Sequence, residues 1–153
     1  MIIGAWITEK LDLADEVVPV RLALLSCTLK RCHPVGLYPS RALPERLPSA
    51  RRLLCEENLH IRAGFQAVGL VDLAGTKITG QLDCSGDKFS AEDVALNCNA
   101  IKVGADVFLR NGFEAQGTIH LTQAEISKNL DLTSANLTKG FIALGMRVGI
   151  WFI

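Results

Sequence analysis

The stretch "GFQAVGLVDLAGTKITGQLD" (residues 64–83) returns 48 residues later as "GFEAQGTIHLTQAEISKNLD" (residues 112–131). Gly64, Phe65, Ala67, Gly69, Leu73, Ile78, Leu82 and Asp83 recur unchanged as Gly112, Phe113, Ala115, Gly117, Leu121, Ile126, Leu130 and Asp131. Self-similarity at a fixed interval signals a repeat architecture, and it takes precedence over any local secondary-structure assignment.

Halving the interval exposes finer columns. Leu59, Leu82, Val107 and Leu130 lie 23, 25 and 23 residues apart, and Ile61, Cys84, Leu109 and Leu132 keep the same spacing. Val71, Val94, Ile119 and Ile142 form a third column, and Leu73, Leu96, Leu121 and Leu144 a fourth. Ile78, Ile101, Ile126 and Gly149 form a fifth. Between neighbouring columns the residue is usually polar, as with Asp83, His120 and Asp131. Two apolar residues around a polar one mark a short strand with one buried face. Successive apolar positions step by five or six residues, too far for a helix face, and Val, Ile and Thr favour strand. Gly69, Gly75, Gly80 and Gly86 fall at the steps, where a corner needs positive φ or no side chain.

A chain with about four short sides that returns every ~24 residues is a parallel β-helix, each coil one strand spacing (roughly 4.8 Å) above the last. The expected fold is all-β, a single solenoid domain over residues 1–153 with about six coils. The general preference of parallel crossovers makes it right-handed. "GAWITEKLDL" (4–13) matches "GTKITGQLDC" (75–84), which aligns Ile7 with Ile78 and Leu25 with Leu96, three coils apart. The stretch 30–55 breaks the pattern: residues 30–52 hold four of the five prolines and five arginines. Proline cannot donate to a strand ladder. An insertion, a distorted coil, disorder or a shifted reading frame would each produce such a segment.

Composition narrows the function classes. The chain is 49% hydrophobic, which favours an ordered core. Sixteen basic and sixteen acidic residues leave no net charge, so neither the basic footprint of a nucleic-acid binder nor the acidic field of a DNA mimic is present. "MIIGAWITEKLDL" lacks the basic and apolar regions of a secretory signal, and no apolar run reaches the length of a membrane span. Cys27, Cys32, Cys55, Cys84 and Cys98 are odd in number and lack framework spacing, so they read as free thiols. The expected location is cytoplasmic, with the inner-membrane surface as the alternative.

The segments "VGADVFLRNGF" (103–113), "AQGTIHLTQAEI" (115–126) and "NLDLTSANL" (129–137), with "GLVDLAGTKITGQLDC" (69–84), resemble bacterial proteins of pentapeptide-like repeats. Such proteins are often labelled membrane-associated oxidoreductases or left uncharacterised. The resemblance implies a β-helical solenoid and association with a membrane. It also implies a longer parent chain, of which these residues are a fragment.

Chemistry-bearing motifs are scarce. There is no GxGxxG, no GxxxxGK[ST] and no CxxC. Cys84 falls in an apolar column and reads as a buried thiol. His60 and Asp83 fall on neighbouring coils, one ingredient of a base–orienter pair, but Phe108 occupies the next rung where a nucleophile would stand. A surface ion pair or solvated side chains are the expectation for both. Asp12, Asp83 and Asp131 share an "LD" pattern without being on adjacent coils. No catalytic, cofactor-binding or metal-binding residue is assigned, and no cofactor is expected.

The expected role is a non-catalytic scaffold or interaction surface, whose partner is a protein, a second copy at the coil ends, or a membrane surface met by "GIWFI" (149–153). An oxidoreductase or its subunit is the alternative that the resemblance implies. A DNA-mimicking protein is a third reading, which the neutral charge disfavours.

Overall fold

The computed structural model describes residues 54–149 except residue 63, preceded by the strands Ile2–Ile3, Trp6–Ile7, Val17–Val18, Leu22–Leu25 and Thr28–Cys32. The described chain is all-β, its parallel strands stacked as a β-solenoid, with no helix. One circuit shows the plan. From Leu82–Asp83 on the first side the chain enters Lys88–Asn97, whose two halves serve two sides. It then passes through Lys102–Val103 and regains the first side at Val107–Phe108.

Three sheets follow from this path. The first stacks Ile2–Ile3, Leu22–Leu25, Leu59–Arg62, Leu82–Asp83, Val107–Phe108 and Leu130–Asp131. The second stacks Val17–Val18, Leu54–Cys55, Lys77–Ile78, Lys102–Val103, Glu125–Ile126 and Arg147–Val148. The third and widest stacks Trp6–Ile7, Thr28–Cys32, Gln66–Gly69, Lys88–Asn97, Glu114–His120 and Asn136–Leu137, with Val71–Asp72 and Phe141–Ile142 on its far half. From Leu54–Cys55 to Arg147–Val148 the second sheet marks four circuits, at intervals of 23, 25, 23 and 22 residues.

The core is the inside of the tube. Leu59, Leu82, Val107 and Leu130 are paired rung to rung as the spacing predicts, and Ile61, Cys84 and Leu109 are buried beside them. At the corner entering the third sheet the packing is a zigzag. Phe65, Phe89 and Phe113 are all fully buried, but Phe89 pairs with Ala67 and Ala115, one inward position further along its strand. The rings interleave edge to face, 6.0 Å and 5.3 Å between centroids, a favoured aromatic geometry. On the coil where the ring has moved along, Asp87 stands two residues before it, fully buried, and its carboxylate accepts the Phe65 N–H at 3.0 Å.

Three of the five expected columns are out of register. Val71 pairs with Leu96 rather than Val94, and Ile119 pairs with Phe141 rather than Ile142. Leu73, Cys98 and Leu121 follow those rungs, so Leu96 and Leu144 leave the column assigned to them. Ile78 pairs with Val103, then Ile126 and Val148, displacing Ile101 and Gly149. For Val94, Leu96 and Ile101 the cause is a bulge. The extra residues of this coil sit between Ser90 and Leu96, where the register shifts twice, and not after residue 101. The next coil but one is a residue short, with 22 residues from Ile119 to Phe141 and from Ile126 to Val148. A one-residue slip turns a strand side chain from one face to the other, so Ile142 and Leu144 lie on the outside and not in the core.

The early alignment also slips. Trp6–Ile7 pairs with Thr28–Leu29 in the third sheet, not in the sheet of Ile78, and Leu25 pairs with Arg62 in the first sheet, not in that of Leu96. Every side of the coil repeats the same corner-plus-strand pattern, so a sequence match can shift by one side. Leu22–Leu25 and Leu59–Arg62 lie 37 residues apart, which places surplus chain in that circuit. Most of the irregular stretch, residues 33–53, lies outside the described residues.

Corners impose their own rules. Gly75, Ala100, Gln123 and Gly145 all adopt φ between 54° and 66°, one left-handed residue at equivalent corners of successive coils. Gly104 answers to crowding instead: a Cβ there would stand 2.1 Å from the Thr79 carbonyl oxygen of the neighbouring coil.

Candidate functional site

The outward column of the first sheet carries the residues that drew attention in the sequence. His60, Asp83, Phe108 and Asp131 occupy successive rungs. His60 Nδ1 lies 3.6 Å from Asp83 Oδ2, so the two side chains do meet. They are buried, however, with 4% and 7% of the side chains exposed, and not solvated as expected. The Asp83 carboxylate folds back over its own corner, accepting the Ser85 N–H at 3.0 Å and the Ser85 hydroxyl at 2.6 Å. The other carboxylate oxygen, Oδ2, faces His60.

Ser85, His60 and Asp83 are the ingredients of a hydrolytic triad in the wrong order. The hydroxyl donates to one carboxylate oxygen and the imidazole faces the other. A relay needs the imidazole between hydroxyl and carboxylate, within about 2.6–3.2 Å of the hydroxyl oxygen. This arrangement positions a corner and does not activate a nucleophile.

The same corner device accounts for Asp83 and Asp131 of the "LD" pattern, whose Asp12 lies outside the described residues. Asp72 accepts the Ala74 N–H, Asn97 the Asn99 N–H and Asp131 the Thr133 N–H, each two residues on, which is an Asx turn. The clue in the sequence is an acid or amide at the end of a strand with a small residue two positions later. Asp72 also accepts from the Asn97 amide at 3.1 Å, and its burial pushes its carboxyl above the usual aspartate value. On Asp131 the Thr133 hydroxyl and N–H, then Arg110, hold the carboxyl down to about 2. Arg110 reaches Asp131 at 2.7 Å and lies 4.1 Å over the Phe108 ring, closing the column as a stacked ion pair.

Other candidates are structural or small. Cys55, Cys84 and Cys98 are free and buried, and burial raises the thiol pKa of Cys84 and Cys98. Lys88 pairs with Glu114 at 3.2 Å and Lys102 with Glu125 at 3.0 Å, both on the outside of adjacent rungs. A depression among Gln66, Val68, Lys88, Ser90, Glu114 and Gln116 has about 170 Å3 of room. That is below the roughly 300 Å3 of a small-molecule site. Among the described residues, no three His, Cys, Asp or Glu side chains converge as metal ligands, and no helix is long and apolar enough to cross a membrane.

The last described coil differs from the rest. Outside the third sheet, Asp72, Asn97 and His120 are followed on the next rung by Ile142. Phe141, Ile142 and Leu144 are 46%, 45% and 71% exposed; Ile142 stands above polar rungs, whereas Phe141 continues the inward Val71, Leu96 and Ile119 column. Leu130, Leu132, Leu137, Met146 and Val148, which continue the core, are only partly buried at this end. Neither a family model, nor a curated protein, nor a solved structure matches this chain.

Proposed function

We propose that this chain is a non-catalytic β-solenoid scaffold that engages a protein partner through its 136–149 end. The change from polar to apolar outward positions at Ile142 and Leu144 carries this reading. A coil that merely continued the tube has no need of apolar residues on its outer face, whereas a docked partner covers them. The triad-like residues support it indirectly, since their order serves a corner. The same reading takes the solenoid as right-handed with six coils, because parallel crossovers are so wound almost without exception. It keeps the kinship with pentapeptide-like repeat proteins as part of the proposal, on the segments between residues 69 and 137.

The test is an Ile142→Ser/Leu144→Ser variant, compared with the parent by light scattering after size exclusion and by pelling with anionic vesicles. Self-association or partner capture by the parent, lost in the variant, supports docking at this end. Vesicle binding lost in the same variant would replace the protein partner with a membrane surface. Unchanged association in the variant sinks the reading. So does a stoichiometric flavin or quinone spectrum, which would favour the oxidoreductase alternative.

A further inference from the structure

Asn111 is the one asparagine in the sequence followed by glycine. It is exposed, in the left-handed region at φ 54°, and Gly112 follows at φ 86° with nothing within 4 Å of where a Cβ would stand. Two bonds hold this corner to the last described coil: Asn111 N–H to the Thr133 carbonyl at 3.0 Å, and Gly112 N–H to the Ser134 carbonyl at 3.1 Å. We propose that Asn111–Gly112 is a latent deamidation site, gated by the coil above it.

The chemistry needs only water and a solvent base. The deprotonated Gly112 nitrogen attacks Asn111 Cγ, and the new C–N bond closes a five-membered succinimide. The Cγ–Nδ2 bond breaks and the side-chain nitrogen leaves as ammonia, taking up the proton. Water then opens either ring carbonyl, which gives aspartate or isoaspartate at position 111. Nothing is oxidised or reduced.

In the closed coil the nucleophile is engaged. The Gly112 N–H points at the Ser134 carbonyl of the neighbouring rung, so its nitrogen is held in that ladder. Opening of the 129–149 coil frees the nitrogen, and glycine then offers no side chain to hinder ring closure. The isoaspartate product lengthens the backbone by one methylene within the corner. Both rungs to residues 133 and 134 lose their register, so one passing opening becomes a permanent loosening of the 129–149 coil. The site lies on the coil below the proposed docking patch and makes that patch perishable.

The test is peptide mapping of the purified protein during incubation in mildly alkaline buffer, folded and in denaturing urea. Amide-to-acid conversion is expected at residue 111 before any other asparagine. In the folded protein it should run roughly tenfold or more slowly than in urea, since 1.4 kcal/mol of opening free energy gives each factor of ten. Leu132→Ala, which loosens the rung bearing Thr133 and Ser134, should narrow that gap. Sub-denaturing urea on the parent chain should narrow it too, which keeps the test open if the variant fails to fold. Equal rates in the folded and unfolded protein overturn the proposal. Earlier conversion at another asparagine, or a folded-state rate indifferent to both perturbations, overturns it as well.

Discussion

Replacing Phe89 by alanine removes the middle ring of the zigzag, and the geometry fixes how much that costs. Phe89 is fully buried and has a ring on either side, at 6.0 Å and 5.3 Å. Burying a phenylalanine and leaving a cavity on its removal is worth about 3–5 kcal/mol. The upper part of that range applies here, because the register neighbours are Ala67 and Ala115, too short to collapse into the space. A loss of about 4–5 kcal/mol is a large share of the roughly 5–15 kcal/mol that stabilises a domain. Equilibrium urea unfolding followed by circular dichroism measures it, with Phe89→Leu as the control that refills most of the volume. In a double-mutant cycle, Phe65 and Phe89 should couple by about 0.5–1.5 kcal/mol, as edge-to-face rings do. Phe65 and Phe113, two coils apart, should not. A Phe89→Ala cost below about 2 kcal/mol, or equal coupling in both cycles, would refute the interleaved packing.

Three further outcomes follow from the corners. Gly104→Ala should destabilise by about 1–3 kcal/mol, because its Cβ meets the Thr79 carbonyl and one backbone must yield; a neutral thermal melt would contradict that contact. Ala100→Gly should stabilise by about 0.5–1 kcal/mol, since the left-handed φ of 54° strains alanine but not glycine. Calorimetry would show the opposite sign if the corner were not left-handed. Asp131 has a folded pKa near 2 against an ordinary 3.8, so the unfolded chain takes up its proton first as pH falls. Its contribution is complete above about pH 4 and is lost on acidification toward pH 2. Asp131→Asn should flatten the pH dependence of urea midpoints across that window, and an unaltered acid slope would remove Asp131 from the account.

The sequence disclosed the solenoid because core residues recur at nearly constant spacing, and the first side was legible to the residue. Leu59, Leu82, Val107 and Leu130 pair as their spacing requires. The far side was not, because periodicity locates how many residues a coil has gained but not where. The surplus in the 88–103 coil is taken up by the Ser90–Leu96 bulge. A second change, the 22-residue step from Ile119 to Phe141, carries Leu144 and Ile142 from expected core to observed surface, and so concealed the apolar patch. The His60–Asp83 contact could be read from register alone. Its burial could not, since alternation of faces assigns His60 and Asp83 to the outside, where both are nonetheless buried. Ser85 and Asp87 were missed because their roles depend on corner geometry and not on column position.

The zigzag also sets a rule of parity. Phe65 and Phe113 stand in one lane of the tube and Phe89 in the lane beside it, so consecutive coils are odd and even and not interchangeable. Excising the Phe89 coil would bring Phe65 and Phe113 into the same lane one strand spacing apart, about 4.8 Å, and exchange edge-to-face contacts for stacked ones. Excising two restores the alternation. The 48-residue echo between "GFQAVG" and "GFEAQG" thus carries a second meaning: it is the interval at which a ring returns to the same lane.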